Sequence, residues 1–328
     1  MLLCKLNNLV KFREKSEILK YGFFLLVLIF GAPSWLLVKY QNSSMTAEFS
    51  VGLRFLMASL VLEFCRLIFD SEKTKLSLKD WKFILIQGIF LFSINFWLCY
   101  YSSQYIISGL IAVTVSTMII PNFIFGKLFL GVPFRLQTIA GAFLGIVGVS
   151  TLFFQEFLTL TENLNLLKGF LLAFLSTFFS VIGTQASGIL SKRGVPLILS
   201  TSRALCIGGL LSLLVSLFKD GVPIFPSTAE FWGSLLYLGI FSSAMSYTLY
   251  GYLIKKYGPG AASYLWIASP AISLALSALF EEYDWTTISS MGILFIIVGG
   301  ILTGSKASVW SYFKTSELMR FLIKKPSH

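Results

Sequence analysis

An internal repeat constrains the fold of this chain more than any other feature of its sequence. When the sequence is shifted by 151 positions, residues 81–148 align with residues 232–299 without a gap. Because this period is close to half of the 328 residues, it indicates one duplication and not a solenoid of many short repeats. The aligned pairs include Trp81 with Trp232, Gly88 with Gly239, Tyr101 with Tyr252, Gly141 with Gly292 and Gly148 with Gly299.

The composition of both copies is typical of a membrane protein. The chain is 56% hydrophobic and 12% charged, whereas soluble domains carry about 25% charged residues. Its net charge of +11 comes from basic residues scattered between apolar runs, so we expect no nucleic-acid partner. The four cysteines show no paired spacing, and the only histidine is His328, the last residue. The sequence therefore predicts no metal site, no cofactor and no imidazole-based catalysis.

Ten segments are long and apolar enough to cross a bilayer as helices, which takes about 20 mostly apolar residues each. We therefore predict an all-α integral membrane protein with ten transmembrane helices, surrounded by lipid. Connections between the segments are short, as expected of antiparallel neighbours in a bundle. The predicted spans are 20–40, 48–69, 81–103, 106–129, 135–154, 167–190, 197–218, 231–254, 261–280 and 286–305.

The distribution of basic residues predicts the orientation of these spans. Most of the 26 Lys and Arg residues fall in the two tails and in the loops on the same side as the N-terminus. The loops on the opposite side hold only Lys39, Lys168 and Lys219. Because loops rich in Lys and Arg stay in the cytoplasm, we expect a multi-pass protein of the cell (inner) membrane with both termini cytoplasmic.

Five spans in each copy imply that the second copy enters the membrane from the opposite side. The copies are then inverted-topology repeats, an arrangement that allows alternating access to a central site. The predicted organisation is a cytoplasmic N-terminal tail 1–19, a first repeat 20–154, an extracytoplasmic linker 155–166, a second repeat 167–305 and a basic cytoplasmic tail 306–328.

Local motifs resemble those of the drug/metabolite transporter superfamily of the EamA type. Residues 30–35, Phe-Gly-Ala-Pro-Ser-Trp, resemble the small-residue-and-Trp signature of its first helix. Residues 54–58, Arg-Phe-Leu-Met-Ala, resemble the Arg-Phe-x-x-Ala pattern of its second helix. The Ser/Thr-rich stretches 114–121 and 263–270, each ending in proline, resemble its fourth and ninth helices. The resemblance covers roughly residues 20–305 and implies ten helices in two repeats and a transport function.

Two arginines within predicted spans are candidates for binding a substrate. An ionisable group inside a bilayer is costly, so it marks a functional site by default. We expect Arg54 on the second span and Arg203 on the seventh each to line a vestibule and attract a carboxylate. The alternative is that each side chain reaches its own membrane interface or caps carbonyls of a neighbouring helix.

Polar and aromatic residues at mid-membrane complete the predicted site. Asn95 and Ser246 are equivalent under the shift of 151 and could bind substrate with Asn122 and Gln185, although polar residues also hydrogen-bond helices to one another. An aromatic cage would suit a flat base or an onium cation, and lipid-facing packing is the alternative. The candidate rings are Trp35, Trp97, Tyr247 and Trp266.

These features predict a secondary transporter and not an enzyme, because no nucleophiles, metal ligands or paired carboxylates cluster at mid-depth. We expect a small polar organic substrate with a carboxylate, best an amino acid or an amino-acid-containing nucleoside such as S-adenosylmethionine. No Asp or Glu falls at mid-depth, which favours exchange or facilitated diffusion over proton coupling. Alternatives are an exporter of aromatic compounds or drugs, for which both arginines are dispensable, and a structural or sensory membrane protein.

Glycines on the fifth and tenth predicted spans indicate where helices approach closely. Gly141, Gly148, Gly292 and Gly299 lie on these spans, and small residues let helix backbones come together. The expected contact is either between the two repeats or between the subunits of a homodimer. The sequence leaves open whether the protein is a monomer or a homodimer.

Overall fold

The described part of the chain is helical. The computed structural model describes residues 17–34, 37–38, 41, 45–69, 74–106, 111, 114–131, 136–152, 154, 164–221, 225–269, 272 and 287–304. Within these ranges the residues form helices, turns and short connections, and no strand. The predicted all-α class is therefore confirmed, whereas the count of ten spans stays a prediction.

The helices of the first half are closely spaced along the chain. Between α3 and α4 the helix changes to a π-helix, π1, without a break. The helices are α1 Glu17–Gly31, α2 Ala47–Phe69, α3 Leu78–Ile86, π1 Gln87–Ile94, α4 Asn95–Ser102, α5 Ile119–Leu130 and α6 Leu136–Leu152.

The second half has a similar order of helices. Here too a π-helix, π2, lies between two α-helical parts. The helices are α7 Leu164–Lys192, α8 Leu197–Asp220, α9 Ala229–Tyr237, π2 Leu238–Met245, α10 Ser246–Ala262 and α11 Thr287–Gly304, and residues 264–269 are also helical.

Within the described residues, three continuous helical stretches are long and apolar enough to cross a membrane. They run over Leu78–Ser102, Leu164–Lys192 and Leu197–Asp220. The predicted spans 48–69 and 286–305 also coincide, within two residues at each end, with α2 and α11. Apolar run length therefore predicted these helices well, because a long and mostly apolar run has few alternatives to a bilayer-spanning helix.

The two π-helices occupy equivalent positions in the two copies. A shift of 151 places Gln87 on Leu238 and Ile94 on Met245, so π1 and π2 begin and end together. Each π-helix passes directly into an α-helical turn, which begins at Asn95 in one copy and at the equivalent Ser246 in the other. π-Helical segments are rare and frequently occur at functional sites.

Glycines on α6 and α11 hold the two halves together in a reciprocal contact. A Cβ atom placed on Gly148 would lie 2.6 Å from the carbonyl oxygen of Gly292. A Cβ atom on the equivalent Gly299 would lie 2.5 Å from the carbonyl oxygen of Gly141. The expected close approach of these two glycine-bearing helices is therefore present within one chain.

Replacing Gly148 with alanine should destabilise the fold. The new methyl group would meet backbone at 2.6 Å, which has no rotamer to change, and overpacking of this kind costs about 1–3 kcal/mol. We expect a lower midpoint of thermal unfolding for the purified protein in detergent.

Gly233 provides the matched control, because a Cβ atom there would meet no atom within 4 Å. Gly233→Ala should leave the midpoint unchanged or raise it slightly, since alanine favours helix over glycine. Equal midpoints for the two variants would contradict the close approach of α6 and α11.

Candidate functional site

A cavity lies between helices of both halves of the chain. Residues of α1, α2, α4, α7, π2, α10 and the helical stretch 264–269 form its walls. Its volume is about 70 Å³, several times the roughly 10–15 Å³ that a cavity needs to hold one water. Among the described residues that line it, Arg54 is the only charged one, so the walls carry a single positive charge.

Arg54 is almost completely buried at this cavity, with 2% of its surface exposed. Its Nε–H donates a hydrogen bond to Ser243 Oγ at 2.8 Å, and its Nη2 donates to Ser242 Oγ at 3.1 Å. The guanidinium carbon also lies 4.9 Å from the ring centroid of Phe96 and 5.3 Å from that of Phe55. Hydroxyl oxygens and ring faces therefore stabilise the charge, and both π2 and α4 contribute to holding it.

No carboxylate in the described part of the chain forms an ion pair with Arg54. Removing an ion from water costs several kcal/mol, and buried ions are normally paired. Ser242, Ser243 and the hydroxyl of Tyr100 engage only part of the guanidinium, and further N–H donors remain available because arginine has five. The arrangement is therefore suited to receiving an anionic group from outside the chain.

The equivalent place in the other half of the chain is apolar. The shift of 151 places Arg54 on Leu205, and Ser242 and Ser243 on Leu91 and Phe92. Leu205, Leu91 and Phe92 all belong to the same buried apolar cluster. The two copies thus share the helical arrangement and differ in chemistry, and the charge belongs to one copy alone.

Asn95 and Ser246, which sequence analysis paired, both line the cavity. Asn95 Oδ1 accepts a hydrogen bond from Ser176 Oγ at 2.8 Å, and its Nδ2 donates to the carbonyl oxygen of Leu91 at 3.2 Å. The amide of Asn95 is therefore fixed in position by α7 and π1. The Ser246 Oγ atom, in contrast, is buried without a hydrogen-bond partner.

A row of aromatic rings extends along the cavity from the charge. The ring centroids of Phe96 and Tyr247 are 6.2 Å apart, and those of Tyr247 and Trp266 are 6.3 Å apart. Tyr250 also lines the cavity and lies 5.6 Å from Trp266 between centroids. These rings are packed in tilted and edge-to-face geometries, which leaves flat apolar surface for a ligand to contact.

The structure places the predicted site residues in different surroundings. Trp35 lies outside the described residues, so its prediction stays untested. The predicted site residues that the structure brings together around the cavity are Arg54, Asn95, Ser246, Tyr247 and Trp266.

Arg203 is not among the residues that line the cavity, and it has a carboxylate partner within the chain. Its Nη2 lies 3.1 Å from Glu63 Oε1, and its side chain is 38% exposed. Glu63 also pairs with Arg66 at 2.7 Å, three residues further along α2, and accepts a hydrogen bond from Ser202 Oγ at 3.0 Å. Because Arg203 pairs with a carboxylate of the chain that it shares with Arg66, and does not line the cavity, we do not include Arg203 in the candidate site.

Trp97 is not among the residues that line the cavity. Its Nε1–H donates a hydrogen bond to Ser212 Oγ at 2.9 Å.

Asn122 and Gln185 form a buried network that adjoins the cavity. Gln185 Nε2 donates to Asn122 Oδ1 at 2.8 Å, and Asn122 Nδ2 donates to Ser263 Oγ at 2.8 Å. The hydroxyl of Tyr250 reaches the same Ser263 oxygen at 3.3 Å. These amides therefore hydrogen-bond helices to one another, which was the alternative interpretation of them.

Sequence analysis missed Ser242 and Ser243, the direct partners of Arg54. The signal that could have found them is the difference between the copies, since two serines replace Leu91 and Phe92 where an arginine replaces Leu205. Within the described ranges, no three His, Cys, Asp or Glu residues are grouped to hold a metal ion. The site therefore offers charge, hydrogen bonds and ring surface.

Comparisons with known proteins identify relatives of both halves. The model of a family described as the EamA-like transporter family matches residues 19–154 and again residues 167–305. The protein PagO of Salmonella typhimurium is 26% identical over 85% of this chain and 91% of its own length. A protein of Archaeoglobus fulgidus named an uncharacterized transporter is 25% identical over 83% of this chain and 94% of its own length.

A solved crystal structure shares the fold of this chain. The two superimpose with a TM-score of 0.72, over 88% of this chain and 98% of the other, at 15% sequence identity. At that identity the likeness concerns the fold alone.

The contact between Arg54 and Ser243 should be measurable by a double-mutant cycle. Hydrogen bonds to charged groups contribute about 1.5–3 kcal/mol, so Ser243→Ala should lower the free energy of unfolding by about that amount. In an Arg54→Leu background the same change should cost close to nothing, because the donor is gone. The measurement is chemical unfolding in detergent micelles.

Ser212→Ala serves as the control in both backgrounds, since Ser212 accepts from Trp97 and not from Arg54. The decrease in the free energy of unfolding caused by Ser212→Ala should not depend on which residue occupies position 54. If Ser243→Ala costs the same with and without Arg54, the assigned hydrogen bond is wrong.

Proposed function

The chain belongs to the EamA-like transporter family, and from that premise we propose that it moves a small organic metabolite with a carboxylate across a membrane. The observation that carries this proposal is the buried guanidinium of Arg54, which has no carboxylate partner among the described residues and lines a cavity shared by both halves. A transporter needs such a central site, whereas a structural or sensory role does not explain it.

The substrate carboxylate is the group best suited to Arg54. The planar guanidinium matches a carboxylate with two parallel hydrogen bonds, which are stronger than bonds between neutral groups. Ser242 and Ser243 hold the guanidinium in place before the ligand arrives. Binding therefore needs little reorganisation of the arginine, which lowers the entropic cost of binding.

We propose that transport proceeds by alternating access between two inverted repeats of five spans each, ten in total, at 20–154 and 167–305. Two separate matches to one family model support this organisation, as do the reciprocal glycine contacts between α6 and α11. The termini are then cytoplasmic, with tails 1–19 and 306–328 and a linker 155–166 on the opposite side. The protein acts without a catalytic step, as a monomer or a homodimer.

Exchange or facilitated diffusion fits the site better than proton coupling. The lining residues that the structure describes include no Asp or Glu, and proton-coupled transporters usually carry a buried carboxylate or histidine relay. Amino acids and S-adenosylmethionine remain candidate substrates because both carry a carboxylate. The row of rings ending at Trp266 favours ligands with a flat part, and it also supports the second candidate, an exporter of aromatic compounds.

Uptake into proteoliposomes tests the proposal. The solutes are labelled amino acids, S-adenosylmethionine, an aromatic carboxylic acid and an aromatic cation, each with and without internal counter-substrate. We expect saturable uptake of a carboxylate-bearing solute, accelerated by the same solute inside. Arg54→Leu should raise the half-saturating concentration by about tenfold or more. Arg54→Lys should give a half-saturating concentration between those of the wild type and Arg54→Leu, because lysine keeps the charge but not the planar guanidinium.

Arg203→Leu is the matched control, since that guanidinium is engaged by Glu63 away from the cavity. It should leave the half-saturating concentration close to that of the wild type. Unchanged kinetics in Arg54→Leu would favour the exporter of aromatic compounds. The absence of saturable flux for every solute would contradict a carrier for these classes.

A further inference from the structure

Two polar atoms in the cavity wall have no hydrogen-bond partner. Both Trp266 Nε1 and Ser246 Oγ are buried and unsatisfied, and both residues line the cavity. The hydroxyl of Tyr250 lies near the indole N–H, but not in a geometry that makes a hydrogen bond. Buried polar groups are nearly always paired, so each unpaired one in a cavity wall marks a place for a ligand atom.

Trp266 carries the last ring of the row that starts at Arg54, whereas Ser246 lies about one helical turn after Ser242 and Ser243, which bond Arg54. The row proceeds from the Arg54 guanidinium carbon to Phe96 over 4.9 Å, then to Tyr247 over 6.2 Å and to Trp266 over 6.3 Å. A cation therefore lies at one end of the flat apolar surface, and an unsatisfied N–H lies at the other. A ligand that satisfies both ends must carry two polar groups separated by an apolar part.

The chemistry of the second group follows from the donor. An indole N–H can only donate, whereas a serine hydroxyl can donate or accept. We propose that the cavity selects organic acids that carry a neutral oxygen acceptor at the end opposite the carboxylate, with Trp266 Nε1–H as the specificity-determining group. This inference rests on the proposed function, because it takes the carboxylate to bind at Arg54.

In Trp97 of the same protein, the indole N–H does have a hydrogen-bond partner. Its N–H is engaged by Ser212 at 2.9 Å, outside the cavity. The indole of Trp266 has no such partner, although its ring packs against Tyr250 and Tyr247. Phenylalanine at position 266 would keep a ring against these tyrosines and remove only the donor and part of the indole.

Two pairs of nearly isosteric acids test the inference on the full chain in detergent. The first pair is 4-methoxybenzoate and 4-ethylbenzoate, which differ by one ether oxygen. The second is 3-(4-methoxyphenyl)propanoate and 3-(4-ethylphenyl)propanoate, which covers a longer separation. Calorimetric titration of the wild type should show about 3- to 10-fold tighter binding of the methoxy member in at least one pair.

Trp266→Phe should reduce that preference to nearly equal affinities while both acids still bind. Trp97→Phe should leave the preference as in the wild type, because its N–H is engaged by Ser212 outside the cavity. Arg54→Leu should weaken both members of a pair alike, since the carboxylate is common to them.

The outcomes separate this inference from the function on which it rests. Binding of the acids with dependence on Arg54, but with no methoxy preference or with a preference that persists in Trp266→Phe, would overturn the inference and leave the proposed function standing. A failure of all four acids to bind the wild type would overturn the inference together with the assignment of Arg54 as a carboxylate site.

Discussion

The guanidinium of Arg54, buried at the cavity without a carboxylate partner from the described residues, makes the interaction on which the rest of the site depends. It is tolerated because π2 presents two serine oxygens to it and because two phenylalanine rings face it. Replacing one of these serines with a glutamate would neutralise the charge and remove the proposed anion site. The unpaired guanidinium therefore lowers the stability of the folded protein, as groups in binding sites commonly do.

The helices around this charge are held by contacts that do not involve the cavity. Glycines bring α6 and α11 together at the carbonyls of Gly141 and Gly292. The pair α2 and α8 is joined by ion pairs near both ends, Glu48 with Lys219 at 3.2 Å and Glu63 with Arg203 at 3.1 Å. Each of these contacts joins one half of the chain to the other, so the walls of the cavity are positioned by both.

Sequence reasoning recovered the features that depend on local composition. Apolar run length located helices such as α2 and α11, and the internal shift paired Asn95 with Ser246, which do line one cavity. It could not separate Arg54 from Arg203, since both are arginines a few turns inside an apolar helix. The difference arises from Glu63, which reaches Arg203 from another helix, and no pattern along the chain reveals that pairing.

The same limit explains the tryptophans and the π-helices. Trp97 and Trp266 have similar apolar surroundings in the sequence, yet only one has its N–H satisfied by a neighbouring helix. The π-helices result from hydrogen bonds one residue longer than those of an α-helix, and side-chain periodicity carries little information about this change. Tertiary packing decides both features.

The matching registers of π1 and π2 also bear on the history of the protein. A backbone irregularity that begins and ends at equivalent residues in both copies was present in the ancestral half-length sequence before it duplicated. The contact between an arginine and two serines exists in one copy, while the other has three apolar residues, so the charge distribution became asymmetric after the duplication. The backbone frame of the cavity is thus older than its present electrostatics, and descendants of the same ancestor are free to keep the frame while they diverge in the ligands that they accept.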